Sequence, residues 1–210
     1  LPNDPGAEAR AEAVVFDLGG VLIDWDPRHL YRKLFDGDET KVEWFLTEVC
    51  TFEWHASTHD VGVPLSEGCA ARAAEFPEHA ELVMAWRRQD EMIGGAFDNT
   101  VEVLAELRDA GVPLYVLSNW EVGTWPDRVR QFDFLSWFDG IVISGQELVR
   151  KPDPEIFRRL IDRFGLDPNT TLFVDDVAAN CEAAKRLGFQ AHHFESAAML
   201  RHTLRTLHIL

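Results

Sequence analysis

The sequence predicts an α/β protein, a Rossmann-like parallel sheet core with a helical cap domain inserted after the first strand. Three observations carry that expectation. After residue 96, short apolar runs of strand length alternate with helical patterns of about a dozen residues, the rhythm of βαβ units. A matching run, Val14-Val15-Phe16, stands alone near the start and shows no polar alternation, as in a strand covered on both faces. Between the two lie about seventy residues of helical character, enough for a small domain of their own.

Taken in order, 1–12 is polar and rich in Pro, Gly and Ala, with neither a positive n-region nor an apolar h-region. It reads as a disordered leader rather than a signal peptide. The core is expected over 13–24 and 96–210, and the cap over 25–95. In the cap, Leu30, Tyr31 and Leu34 fall at helical spacing, and Val42, Phe45, Leu46 and Val49 share one face of a helix over 39–50. Ser66 is the expected N-cap of a helix running to residue 75. A further helix over 78–92 uses Leu82, Val83, Trp86 and Met92, and Gly94-Gly95 closes the segment. No buried strand is expected within 24–97.

Beyond it, a helix over 100–110 turns Val101, Leu104 and Leu107 inward and stops at Gly111. Strands follow at 113–117, 141–143, 171–174 and 190–193. Helices at 154–164 and 178–187 end at Gly165 and Gly188. Right-handed crossovers follow from the parallel pairing.

Composition narrows the function. The 210 residues are 46% hydrophobic, with seven Trp and fourteen Phe, so a sizeable core is available. Twenty basic against 36 acidic residues give a net charge of −16, which repels a phosphate backbone and argues against nucleic-acid binding. An anionic substrate therefore needs a metal or a local cation. Cys50, Cys69 and Cys181 form no CxxC pair, so they read as buried thiols rather than a disulfide framework or zinc site. No run approaches the length of a membrane span, and cytoplasm is the expected compartment.

The chemistry lies where the strands end. Asp17 closes the first strand and is followed by Gly19 and Gly20; Ser118 and Asn119 close the second; Asp175 and Asp176 close the fourth. Open α/β sheets bind ligands at this edge, so residues far apart in sequence converge there. Lys151 precedes the helix at 154–164 and is a fourth candidate. Each residue alone has an ordinary role as a cap, a turn residue or a solvated lysine. Together they are coherent. Three carboxylates repel one another unless a cation lies between them, and an all-oxygen donor set suits Mg²⁺. Lys151 would neutralise a phosphoryl oxygen, Ser118 and Asn119 would donate to others, and Asp17 would attack phosphorus.

The stretches Asp17-Leu18-Gly19-Gly20-Val21, Leu117-Ser118-Asn119, Lys151-Pro152-Asp153-Pro154 and Phe173-Val174-Asp175-Asp176 with Asn180 resemble the four motifs of the haloacid-dehalogenase-like hydrolase superfamily. They occur in that family's order, and the helical insertion is similar to its cap between motifs one and two. The branch most resembled includes sugar-1-phosphate phosphatases and the phosphatase-like domains of epoxide hydrolases. The resemblance implies Asp17 as nucleophile, Ser118, Asn119 and Lys151 as phosphate contacts, and Asp17, Gly19, Asp175 and Asp176 around Mg²⁺. Asn180 occupies a weaker motif-four position.

One departure stands out. Phosphatases of that family usually carry a second Asp two residues after the nucleophile, which protonates the leaving oxygen. Here that residue is Gly19, which offers a metal only its carbonyl. Either the leaving group needs little protonation, or the cap supplies an acid, with His55 and His59 as candidates, although such histidines ordinarily sit on surface loops. A small phosphorylated metabolite, sugar phosphate-like, is the expected substrate. The alternatives are a 2-haloacid dehalogenase, which needs no acid at Gly19 but also no Asp175-Asp176 pair, and a phosphate binder without turnover. Trp25 and the loop from Trp120 to Trp125 are expected to shape specificity. Nothing in the sequence fixes the oligomeric state.

Overall fold

The structure, a computed structural model, describes residues 11–210. The expected leader lies outside the described residues apart from its last two positions. Five parallel strands form one sheet in the order β5-β4-β1-β6-β7: β1 (Ala13–Phe16) at the centre, β4 (Leu114–Ser118) and β5 (Gly140–Ile143) to one side, β6 (Thr171–Asp175) and β7 (Gln190–His193) to the other. The expected fold class is therefore the observed one.

The period-two geometry of β1 builds two cores at once. Val14 and Phe16 face a cluster with Val103, Leu104, Leu107, Leu200 and Leu204, while Val15 faces another with Leu117, Phe173, Ile156, Phe157 and Leu160. Covering both faces with helices is what makes β1 apolar throughout. Register then sets the site. Phe16 pairs with Val116 and Val174, so Asp17 emerges level with Leu117 and Asp175, one residue short of Ser118.

The first insertion differs from expectation at its ends. Ile23–Trp25 (β2) and Ile93–Ala96 (β3) pair as an antiparallel ribbon, through which the chain leaves and re-enters the core. Gly94 and Gly95 contribute no side chains to a periodic pattern, which hid β3 in the sequence. A Cβ at Gly94 would collide with the Asp24 carboxylate, so the ribbon depends on a close backbone approach there.

Between these strands lie α1 (Arg28–Leu34), α2 (Glu39–Trp44), α3 (Phe52–Thr58), α4 (Leu65–Glu75) and α5 (Ala80–Ala85). They enclose a separate cluster containing Leu30, Tyr31, Val42, Phe45, Leu46, Val49, Val83, Trp86 and Met92. The helix expected over 39–50 widens after Trp44 into a π turn, where Cys50 N donates to Phe45 O at 2.8 Å. The helix expected over 78–92 is broken: α5 ends at Ala85, and Gln89 Nε2 caps the Trp86 carbonyl at 2.7 Å before a 3₁₀ turn. α4 begins at Leu65, so Ser66 lies inside its first turn and Pro64 precedes it instead.

The remaining helices are α6 (Asp98–Asp109), α7 (Trp125–Gln131), α8 (Ser144–Glu147), α9 (Pro154–Phe164), α10 (Ala178–Arg186) and α11 (Ala197–Thr206). No helix is expected from the sequence at α3, α7, α8 or α11. The last is capped by Ser196, whose Oγ accepts from Met199 N, and buries Leu200 and Leu204 against the sheet. All three cysteines are buried and free. Among the described residues no helix is long and apolar enough to cross a membrane.

Phe157 is fully buried against Phe173 and Phe189 on one face of the sheet. Phe157→Ala is expected to cost about 3–5 kcal/mol, read from the midpoint of a urea titration.

Candidate active site

Asp17, Ser118, Asp175 and Lys151 are buried together at the carboxyl edge of the sheet. Lys151 is not delivered by a strand; the loop before α9 brings it in, and Asn119 pins it there. The Asn119 amide makes a reciprocal pair with that loop: its Oδ1 accepts from Lys151 N at 2.8 Å and its Nδ2 donates to Lys151 O at 3.1 Å. The Lys151 ammonium then bridges Asp17 Oδ1 at 2.9 Å and Asp175 Oδ2 at 2.7 Å, with its side chain wholly buried. Burial opposes the ammonium, but the two carboxylates more than offset this, and its pKa is raised.

The carboxylates divide the work between them. Asp175 is saturated: Oδ1 accepts from Val177 N and Asn180 Nδ2, while Oδ2 accepts from Lys151 and Asn180. Asn180, expected as a weaker site position, is thus a buried bracket for Asp175. Asp17 is held by one oxygen. Leu18 N at 2.7 Å and the Lys151 ammonium both contact Oδ1, and Oδ2 takes neither. Burial pushes Asp17 up to about 7; Lys151 opposes the rise, while the charges of Asp175 and Asp176 add to it. Asp176 is likewise raised, by burial and then by Asp175.

Asp17, Asp175 and Asp176 each offer an oxygen within 4.8 Å of the others, an arrangement fit to hold a metal ion. Oxygen donors in this number suit a hard divalent cation, and a cation is what would relieve the carboxylate crowding. Ser118 Oγ is buried beside Asp17, where its hydroxyl favours the ionised carboxylate.

A cavity of about 360 Å³ opens over this edge and reaches the inserted helices. Gly19, Asn119, Lys151 and Asn180 line its floor, and Trp25, Phe52, His55, Asp60 and Gln89 line the opposite side, with Trp120 and Glu121 between. The structure brings Trp25, His55 and Trp120 to the cavity. His59 does not reach it; it is buried against Trp54, its Nδ1 hydrogen-bonded to Val63 O. Neither histidine is on a surface loop: His55 lies on α3 and is 8% exposed, and His59 is fully buried. Glu121 falls in the loop expected to shape specificity, whereas Asp60 and Gln89 carry no sequence signal, because an isolated acid or amide with no partner at fixed spacing gives no motif. Glu121 accepts from Gly123 N and Thr124 N and so shapes the loop entering α7.

The two glycines after Asp17 have different roles. Gly20 has φ +73°, and a Cβ there would collide with the Asp176 carboxylate. A Cβ on Gly19 would meet nothing within 4 Å. Gly20→Ala is therefore expected to lower stability by about 1–3 kcal/mol in a urea titration. Gly19→Ala should shift it by less than about 1 kcal/mol.

Known proteins place this arrangement. The chain is 28% identical to the sesquiterpene phosphatase astK of Aspergillus oryzae, over 93% of this chain and 96% of that protein. It is 25% identical to a phosphorylated carbohydrates phosphatase of Thermotoga maritima, over 85% of this chain and 82% of the relative. A magnesium complex of a HAD family enzyme from Bacteroides thetaiotaomicron shares the fold with a TM-score of 0.69 at 22% identity, covering 93% of this chain and 99% of that one. The family model for haloacid dehalogenase-like hydrolases matches residues 11–188, and the chain belongs to that family.

Proposed function

We propose that this protein is a Mg²⁺-dependent phosphomonoesterase acting on a small, sugar phosphate-like metabolite through an aspartyl-phosphate on Asp17. The observation that carries the reading is the meeting of three carboxylates with one buried ammonium at a single strand edge. The phosphatases among the chain's relatives agree with it.

Asp17 and Asp176 would hold Mg²⁺ directly, joined by the Gly19 carbonyl; Asp175, already engaged, would act by fixing Lys151 and Asn180. The ion would supply positive charge to the phosphoryl oxygens and to the crowded acids. Lys151 offsets charge on Asp17 and on the transferring group, and Ser118 Oγ and Asn119 orient its oxygens. The carboxylate of Asp17 forms a bond to phosphorus as the ester P–O bond breaks, and water then cleaves the acyl phosphate. Residues 25–95 act as the cap that encloses the leaving group.

Gly19 leaves the leaving oxygen without the usual neighbouring acid. General acid help is worth about 10²–10⁴ in rate, so esters with good leaving groups should be favoured over simple alkyl phosphates. His55 does not fill the gap through Nδ1, which accepts a hydrogen bond from Trp86 Nε1 at 3.1 Å. Dehalogenation would also suit Gly19, but three clustered acids are ill matched to a metal-free displacement.

The purified protein is expected to release phosphate from p-nitrophenyl phosphate with Mg²⁺, to lose that activity in EDTA, and to regain it when Mg²⁺ is restored. Asp17→Asn should lower kcat by about 10³-fold or more. Halide release from 2-chloropropionate in EDTA, without phosphate release, would sink the reading.

A further inference from the structure

Asp60 is a charged side chain with an unfilled need. It is 5% exposed, it lines the cavity, and its Oδ1 has no hydrogen-bond partner. The nearest basic atom, His55 Nε2, lies 3.4 Å away but outside hydrogen-bonding geometry. No side chain or backbone N–H of the described residues donates to the Asp60 carboxylate, and a carboxylate is costly to bury unpaired, so its place on the cavity wall leaves an acceptor oxygen for a donor that arrives with a ligand.

The neighbours of Asp60 keep that oxygen in place. Trp86 Nε1 can only donate, so its bond to Nδ1 makes His55 an acceptor there and puts the ring proton on Nε2, which lies 3.4 Å from Asp60 Oδ1 without pointing at it. The His55 ring also stacks on Trp25, centroids 5.0 Å apart at 27°, and Trp25 Nε1 donates to Gln89 Oε1 at 3.2 Å. His55 is thus a positioning residue clamped from two sides. Glu121, the other buried acid of the cavity, already accepts two backbone N–H groups. Asp60 is the acid of this wall with acceptor capacity to spare, and it sits beside a flat aromatic surface.

Resting on the phosphatase reading, we propose that Asp60 is a specificity residue: it accepts a hydrogen bond from a hydroxyl of the leaving group, remote from the ester oxygen, while Trp25 covers that group's apolar face. The cavity therefore selects hydroxylated phosphate esters over hydrocarbon ones. A hydrocarbon leaving group would bury Asp60 without a donor, and sites built around a substrate hydroxyl discriminate strongly against analogues lacking it.

The test compares wild type, Asp60→Ala and Asp60→Asn on a set of hexose 1- and 6-phosphates with their deoxy analogues, on farnesyl monophosphate, and on p-nitrophenyl phosphate. Asp60→Ala is expected to lose about 10- to 150-fold in kcat/KM on the best hexose phosphate, the value of a hydrogen bond to a charged group. It should lose nothing on farnesyl monophosphate and stay within about threefold on p-nitrophenyl phosphate, which also reports that the variant is folded. One deoxy analogue should be poor for wild type and no poorer than its parent for Asp60→Ala, and Asp60→Asn, which keeps an acceptor oxygen, should recover part of the loss. Equal losses on all esters, or an unchanged hexose preference in Asp60→Ala, overturn the proposal while leaving the phosphatase reading intact. Failure of wild type on every ester overturns both.

Discussion

The buried contact of Lys151 with Asp17 and Asp175 is the constraint on which the rest depends. A charge triad removed from water is tolerated only when its geometry is tight and the remaining polar atoms are satisfied. The fold meets that condition by convergence. β1 and β6 present the two acids at neighbouring register positions, Asn119 at the end of β4 fixes the backbone of Lys151, and Asn180 on α10 fills the lone pairs of Asp175. Four elements separated in sequence are tied to one ammonium, so a disturbance in any of them reaches Asp17.

That convergence was legible in the sequence because a parallel sheet sends its ligand-binding residues to one edge. Short apolar runs ending in Asp17, Ser118 and Asp175 gave both strand and site. Residues 154–164 match α9 for a similar local reason, Pro154 at the first position and the Gly165 stop. What stayed hidden was set by long-range contact. β2 pairs with β3 across nearly the whole insertion, and β3 is half glycine, so neither strand carries a period. Asp60 acquires meaning only once α3 lays His55 between it and Trp86.

The glycine pair after Asp17 shows how one dipeptide can hold two different constraints. At Gly20 the backbone conformation and the Asp176 carboxylate both exclude a side chain, so that glycine belongs to the site's architecture. At Gly19 the space is open, so nothing about packing demands glycine. The missing side chain there is a chemical fact rather than a steric one.

Electrostatics closes the argument for a cation. The chain is strongly acidic, and two arginines outside the insertion pair with acids inside it: Arg150 with Glu53 at 3.0 Å, and buried Arg128 with Asp90. Lys151 is left to face three carboxylates. One ammonium against three ionised acids leaves two negative charges where a phosphate dianion has to bind. Burial and the neighbouring acids push Asp17 up to about 7, against the opposing pull of Lys151. A divalent ion would carry the missing charge, and the oxygen donors present are the kind that it prefers.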